Sequence, residues 1–309
     1  MTMSAPAFTL GIRRESAAAR DEGSNVAFWC DYDCVRELGQ GHFGTVHLVN
    51  SRATGKASAV KVVEKVVGEE DCRREARFLR ELAHPHIVAL RSEFESSTTF
   101  FLVLEPVLGG SLDALIQAGT CTDPEARRHV RALLLALDHI HSRRVVHRDI
   151  KPSNVLLTAR GDVKLADFGL SEQLPPSGVL TEVCGSHDYL APEMIRTGHG
   201  EAGGYSLAVD LWGVGVLVYM LLHGANPFER PTEIETLQAI ISAEYPAPTS
   251  DADGAIGALL TADPRARPTA SACLRHAWLA PAAPRTPCPP RPGRVLSLTS
   301  RARAVPCAA

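Results

Sequence analysis

The chain has 309 residues, 45% of them hydrophobic, and a formal net charge of −3. That length can bury a sizeable core and is large for one compact unit, so a division into two lobes is expected. The near-neutral charge gives no case for nucleic-acid binding through bulk electrostatics, and the eight cysteines contain no C-x₂-C pair of the zinc-binding kind.

A strand-like run, Val35 to Leu38, leads into Gly39-Gln40-Gly41-His42-Phe43-Gly44-Thr45-Val46 and then a second run to Val49. β-Branched residues after the third glycine place this loop between two strands rather than before a helix. A hairpin lid over phosphates is the reading, with a plain glycine hairpin as its alternative. Glycine would let backbone N–H groups approach phosphate oxygens with no Cβ in the way. Lys61 follows within Ala59-Val60-Lys61-Val62-Val63. An ammonium in such an apolar strand needs a partner. Glu75 is the candidate, because a helix over roughly 69–82 puts Glu75, Leu79 and Leu82 on one face. Glu69 and Glu70 lie nearer but lack that register. His84-Pro85-His86-Ile87 ends the helix, and the 14 positions from Lys61 to Glu75 leave little room for an extra one.

Strands alternate to about residue 105, and after Gly109-Gly110 the pattern turns helical. Thr122-Asp123-Pro124-Glu125 supplies an N-cap candidate and a proline near N1. Val130, Leu133, Leu134, Leu137 and Ile140 then give an apolar stripe of helical period. His147-Arg148-Asp149-Ile150-Lys151-Pro152-Ser153-Asn154 comes next, and after a short strand Asp167-Phe168-Gly169. Two carboxylates, an amide and a lysine in this spacing suit the alignment of a hydroxyl with a nucleotide's terminal phosphate while metal ions hold the phosphates. Leu211 to Leu222 is uncharged but only 12 residues long, too short for a membrane span, and is read as a buried helix headed by Asp210.

The ends read differently. The first thirty residues carry three basic and three acidic groups, which argues against a secretion signal, and Met1-Thr2 lacks the glycine needed for myristoylation. Cys30 and Cys34 could share a helix face, but free thiols in a reducing compartment are the better reading, so an intracellular location, cytoplasmic or nuclear, is expected. From Pro281 to Ala309 there are seven prolines, five arginines and no acidic residue. A disordered tail is expected there. Pro289-Pro290-Arg291-Pro292-Gly293-Arg294 fits an SH3-domain ligand and Arg294 to Val305 a calmodulin-target helix. Cys307-Ala308-Ala309 stops one residue short of a prenylation signal.

Together these motifs resemble the eukaryotic-type protein kinase superfamily, serine/threonine class, over about Tyr32 to Leu279. The calcium/calmodulin-dependent group is most similar, through Tyr189 to Glu193 and Arg265 to Trp278; Gly109-Gly110-Ser111-Leu112 also resembles MAP kinase kinase kinases. The resemblance implies an α+β fold with two lobes: a β-rich N-lobe (about 32–105) with one helix, and a helical C-lobe (about 108–279). Residues 1–31 would be a flexible extension and 280–309 a tail. It implies ATP and Mg²⁺ as cofactors and protein Ser/Thr hydroxyls as acceptors, with no nucleic acid and no transmembrane segment.

Residue by residue, the resemblance implies Asp149, Lys151 and Asn154 as catalytic and Asn154 and Asp167 as metal ligands. The nucleotide would lie against Leu38, Gly39, Gln40, Gly41, His42, Phe43, Gly44, Val46, Ala59, Lys61, Glu75, Leu156 and Asp167. Leu104 takes the gatekeeper position, and backbone groups of Glu105 and Val107 would bind adenine. Ser186 would tie Asp149 to Lys151, Asp210 would brace the catalytic loop, and Glu193 of Ala191-Pro192-Glu193 would pair with Arg267. Arg148 is the cation that many relatives neutralise with a phosphothreonine. Glu182 stands at the matching place, as in phosphorylase kinase catalytic subunits, and is expected to pair with Arg148; phosphorylation of Thr181 is the rival reading. Ser111, Ser153 and Met220 replace acids that read upstream arginines. A catalytically inactive scaffold of the same fold is the alternative function, and a small-molecule phosphotransferase of related fold is a third reading.

Overall fold

A computed structural model describes residues 25–40, 44–119, 121–248 and 252–279. The N-terminal part is a five-stranded antiparallel sheet in the order β1 (Tyr32–Gln40), β2 (Thr45–Ser51), β3 (Ala57–Glu64), β5 (Thr99–Leu104), β4 (Leu90–Glu95). Gly39 faces Val46 and Gln40 faces Thr45, so the glycine loop joins a β-hairpin. Alternation along β3 divides two cores. Ala59 and Val63 point into the main core, whereas Val60 and Val62 pack on the opposite face.

That opposite face is closed by a helix the sequence reading assigned to a flexible extension. α1 (Asn25–Asp31) places Phe28, 6% exposed, in a stack on Phe101 with ring centroids 4.2 Å apart. The ordered unit therefore starts upstream of Tyr32, because the sheet's outer apolar residues need cover. Cys30 lies in α1 and Cys34 in β1, so they share no helix face; both are exposed.

α2 (Lys65–Glu81) follows β3 directly, earlier than the expected start near 69. One helical turn from Lys65 precedes a break at Gly68, whose φ of −150° is non-helical, so the short spacing accommodates a turn after all. The loop after α2 docks onto the C-lobe strand β8 (Val163–Leu165) through Val88 N–H to Leu165 O (2.9 Å) and Leu165 N–H to His86 O (2.8 Å).

The C-lobe is built around α4 (Asp123–His141) and α6 (Ala208–His223), with α3 (Leu112–Gln117), α5 (Pro192–Gly198), α7 (Glu233–Ser242), α8 (Asp253–Leu259) and α9 (Ala270–Cys273) around them. α4 opens on the expected cap: the Glu125 carboxylate accepts from the Thr122 N–H at 3.0 Å and hydroxyl at 2.7 Å. The stripe Val130, Leu133, Leu134, Leu137 and Ile140 is buried. α6 is apolar on every side and buried nearly throughout, as a central helix must be. Among the described residues no helix is long and apolar enough to cross a membrane. Short strands β6 (Val145–Val146), β7 (Val155–Leu157) and β9 (Glu172–Gln173) complete the frame: β6 pairs with β9 and β7 with β8, so the loops carrying Asp149 and Asp167 lie side by side.

Candidate active site

Lys61 is 4% exposed at mid-strand, and its ammonium lies 2.7 Å from Glu75 Oε2 and 2.9 Å from Asp167 Oδ1. Helical spacing on α2 aims Glu75 inward beside Leu79, whereas Glu69 turns to Arg73 on the surface. Burial alone would depress the lysine pKa; the two carboxylates outweigh it and hold the ammonium above its ordinary value. Burial likewise pushes Asp167 up, but Lys61 more than offsets this and keeps the carboxyl below its usual range. Asp167 has φ +63° and Arg148 φ +70°, a left-handed backbone that non-glycine residues adopt at a cost. Phe168, fully buried, packs edge-on against His147 at 4.9 Å and anchors the loop.

The second loop converges on Asp149. Its Oδ1 accepts from Ser186 N–H (3.1 Å) and Ser186 Oγ (3.0 Å), and its Oδ2 accepts from Asn154 Nδ2 (2.8 Å). Lys151 Nζ is 2.7 Å from both Asp149 Oδ2 and Ser186 Oγ. Asp210, at the head of α6, receives the backbone N–H groups of His147 and Arg148, each at 2.9 Å. His141 adds a 2.7 Å contact to the same carboxylate, a partner the sequence reading missed. Burial opposes the charge on Asp210, but these donors hold its carboxyl below the usual range.

Between the lobes, Leu38, Val46, Val107 and Leu156 are partly buried against the main core and Ala59 is buried. Glu105 is fixed at its side chain, which accepts from Ala89 N–H (2.9 Å) and Lys164 Nζ (2.5 Å). Among the described residues, its carbonyl and the Val107 N–H have no backbone partner. Gly39, Gln40 and Gly44 lie at the hairpin mouth; Gly41, His42 and Phe43 fall outside the described residues. Gly44 has a reason the sequence did not suggest: a Cβ there would sit 2.1 Å from the Val62 carbonyl, so it serves strand packing.

Downstream, Arg148 Nη1 lies 3.1 Å from Glu182 Oε2 and 3.3 Å from the Tyr205 hydroxyl, which donates in turn to the Glu182 carbonyl. Tyr205 was not singled out from sequence; its neighbour Gly204 lets it pair with Leu180 across the loop. Thr181 is exposed. Glu193 and Arg267 form a buried double contact at 2.7 and 3.1 Å. Ser111 caps α3 by accepting from Ala114 N–H (3.3 Å), and Met220 Sδ accepts from the Tyr189 hydroxyl (3.6 Å).

Residues 32–279 match the family model described as "Protein kinase domain". Among curated proteins, the chain is similar to myosin light chain kinase A of Dictyostelium discoideum, 35% identical over 263 residues covering 80% of this chain and 88% of that protein. It is similar to Aurora kinase A-A of Xenopus laevis, 36% identical over 277 residues covering 86% and 66%. It is also similar to the liver/testis isoform of the human phosphorylase b kinase gamma catalytic chain, 36% identical over 269 residues covering 81% and 66%.

Proposed function

Because this chain belongs to the protein kinase family, we propose that it transfers the γ-phosphoryl of ATP directly to Ser or Thr hydroxyls of protein substrates. The supporting observation is the Lys61–Glu75–Asp167 cluster lying beside an Asp149 already held by Ser186, Lys151 and Asn154. The ATP fit rests on the Glu105 carbonyl and Val107 N–H, which have no backbone partner among the described residues, between apolar walls. For Mg²⁺ the donors are Asp167 and Asn154, whose Nδ2 is spent on Asp149 and whose Oδ1 is left to accept. One carboxylate and one amide suit an ion that takes its remaining ligands from phosphate and water. Bound there, the ion would neutralise charge on the phosphate oxygens.

The protein's own contributions are placement and charge. Asp149 orients the acceptor hydroxyl and takes its proton. Lys151 offsets negative charge on the moving phosphoryl. Lys61 positions the α and β phosphates, and Glu75 positions Lys61. Ser186 fixes the geometry between Asp149 and Lys151, and Glu182 supplies the charge that Arg148 needs. The catalytic unit runs from α1 to Leu279, and we place its activity inside the cell, in cytoplasm or nucleus. Whether the Pro/Arg-rich tail takes an SH3 or calmodulin partner lies outside the described residues. The experiment is transfer of labelled γ-phosphate from MgATP to a degenerate peptide array. Absent transfer with ATP still bound would instead make the chain a scaffold.

A further inference from the structure

Arg74 precedes Glu75 on α2 and has no part in the roles given above. Its side chain is 19% exposed, and Nη1 donates to Asp71 Oδ1 at 3.1 Å, an ordinary pair within one helix. The same Nη1 also reaches the carbonyl of Gly169 at 3.3 Å, 95 positions away, and Nε lies 3.7 Å from Glu172 on β9. A surface arginine satisfied by its own helix would need neither. The next carbonyl along, that of Leu170, is taken by the Arg148 Nε. Two successive carbonyls after Phe168 are thus held by two guanidiniums, one from the N-lobe helix and one from the catalytic loop.

We infer that Arg74 is a positioning residue: with Arg148 it clamps the Gly169 and Leu170 carbonyls and so keeps Asp167 in reach of Lys61. The inference rests on the kinase reading for its activity test. Asp167 needs such support, because its left-handed backbone would relax if the segment behind it were free. The link also runs between lobes. Arg148 meets Glu182 on one side and Leu170 on the other, while Arg74 meets Gly169 beside the carboxylate that pairs with Lys61. One nitrogen, Nη1, holds both the Asp71 carboxylate and the Gly169 carbonyl, and the rigid guanidinium plane that aims it also turns Nε toward Glu172 at 3.7 Å, an orientation a freely rotating ammonium does not impose.

The test compares wild type, Arg74→Gln and Arg74→Lys as the full chain, by kcat for peptide phosphorylation and by hydrogen exchange. Arg74→Gln should lower kcat about tenfold, the scale of one charge-assisted hydrogen bond, and Arg74→Lys should recover part of it. Exchange in Arg74→Gln should quicken from Asp167 to Ser171 and stay unchanged in α6. An unchanged kcat together with unchanged exchange overturns the inference. So does faster exchange throughout the chain, which would mark a merely structural arginine. Were wild type to transfer no phosphate, the kinase reading would fall, and the local exchange comparison would still decide the clamp.

Discussion

Arg148 and Glu182 meet at 3.1 Å with unequal surroundings: the guanidinium side chain is 1% exposed and the carboxylate 72%. The buried partner cannot find water, so it depends on whatever the loop brings to it. The exposed partner is screened, so the pair adds about 1 kcal/mol at most. Glu182→Gln should therefore lower kcat by roughly two- to fivefold, less at high salt, rather than abolish it. Phosphatase-treated protein should keep its activity. Loss of most activity on that treatment would hand the regulatory role to Thr181.

Asp149 and Asp167 should separate by kinetics. Asp149→Asn removes the proton acceptor and should cost about 10²- to 10⁴-fold in kcat with nucleotide affinity largely retained. Asp167→Asn should weaken metal-dependent ATP binding, measured by titration with and without a chelator. Equal affinities in the two variants would show the division of roles to be wrong.

The Glu193–Arg267 contact is a stability element. Arg267 also donates to the carbonyls of Ala208 (2.6 Å) and Thr261 (3.0 Å). Arg267→Ala would strand a buried carboxylate and should destabilise the protein by about 3–5 kcal/mol. Urea denaturation reads this directly, and a loss well under 1 kcal/mol would contradict it.

The loop after α2 should be acid-sensitive. His84, 4.8 Å from the His139 ring, has its pKa lowered from 6.5 to about 4 by burial, then by the charges of His139 and His86. Between those values the unfolded chain binds a proton that the folded chain refuses. Stability should therefore fall as pH drops through 6.5 towards about 4 and level off below. Melting temperatures across that window should show the slope, and His84→Asn should flatten it. A slope unchanged by that substitution would assign the effect elsewhere.

Sequence sufficed where local period or motif spacing carries the geometry. Helical register chose Glu75 over Glu69, and the spacing of Asp167-Phe168-Gly169 from the catalytic-loop motif singled out Asp167; both carboxylates meet Lys61. It failed where a contact joins distant segments without a pattern. Tyr205 reaches Arg148 across 57 positions, and Arg74 reaches Gly169 across 95. α1 spans seven residues, too few to display a periodic face. Gly44 is expected from its motif to lie against phosphate, and the structure adds a second reason for a glycine there: a Cβ would sit 2.1 Å from the Val62 carbonyl, a contact no sequence pattern displays.

The Phe28–Phe101 stack bears on where this enzyme can safely be trimmed. Family matching starts at Tyr32, and a fragment cut there would leave the ring of Phe101 wetted on its outward side. Loosening would spread from Val103 on β5 to Val60 on β3, the strand whose reverse side carries Lys61. Poor turnover in such a fragment would say nothing about its chemistry; it would report a missing aromatic lid.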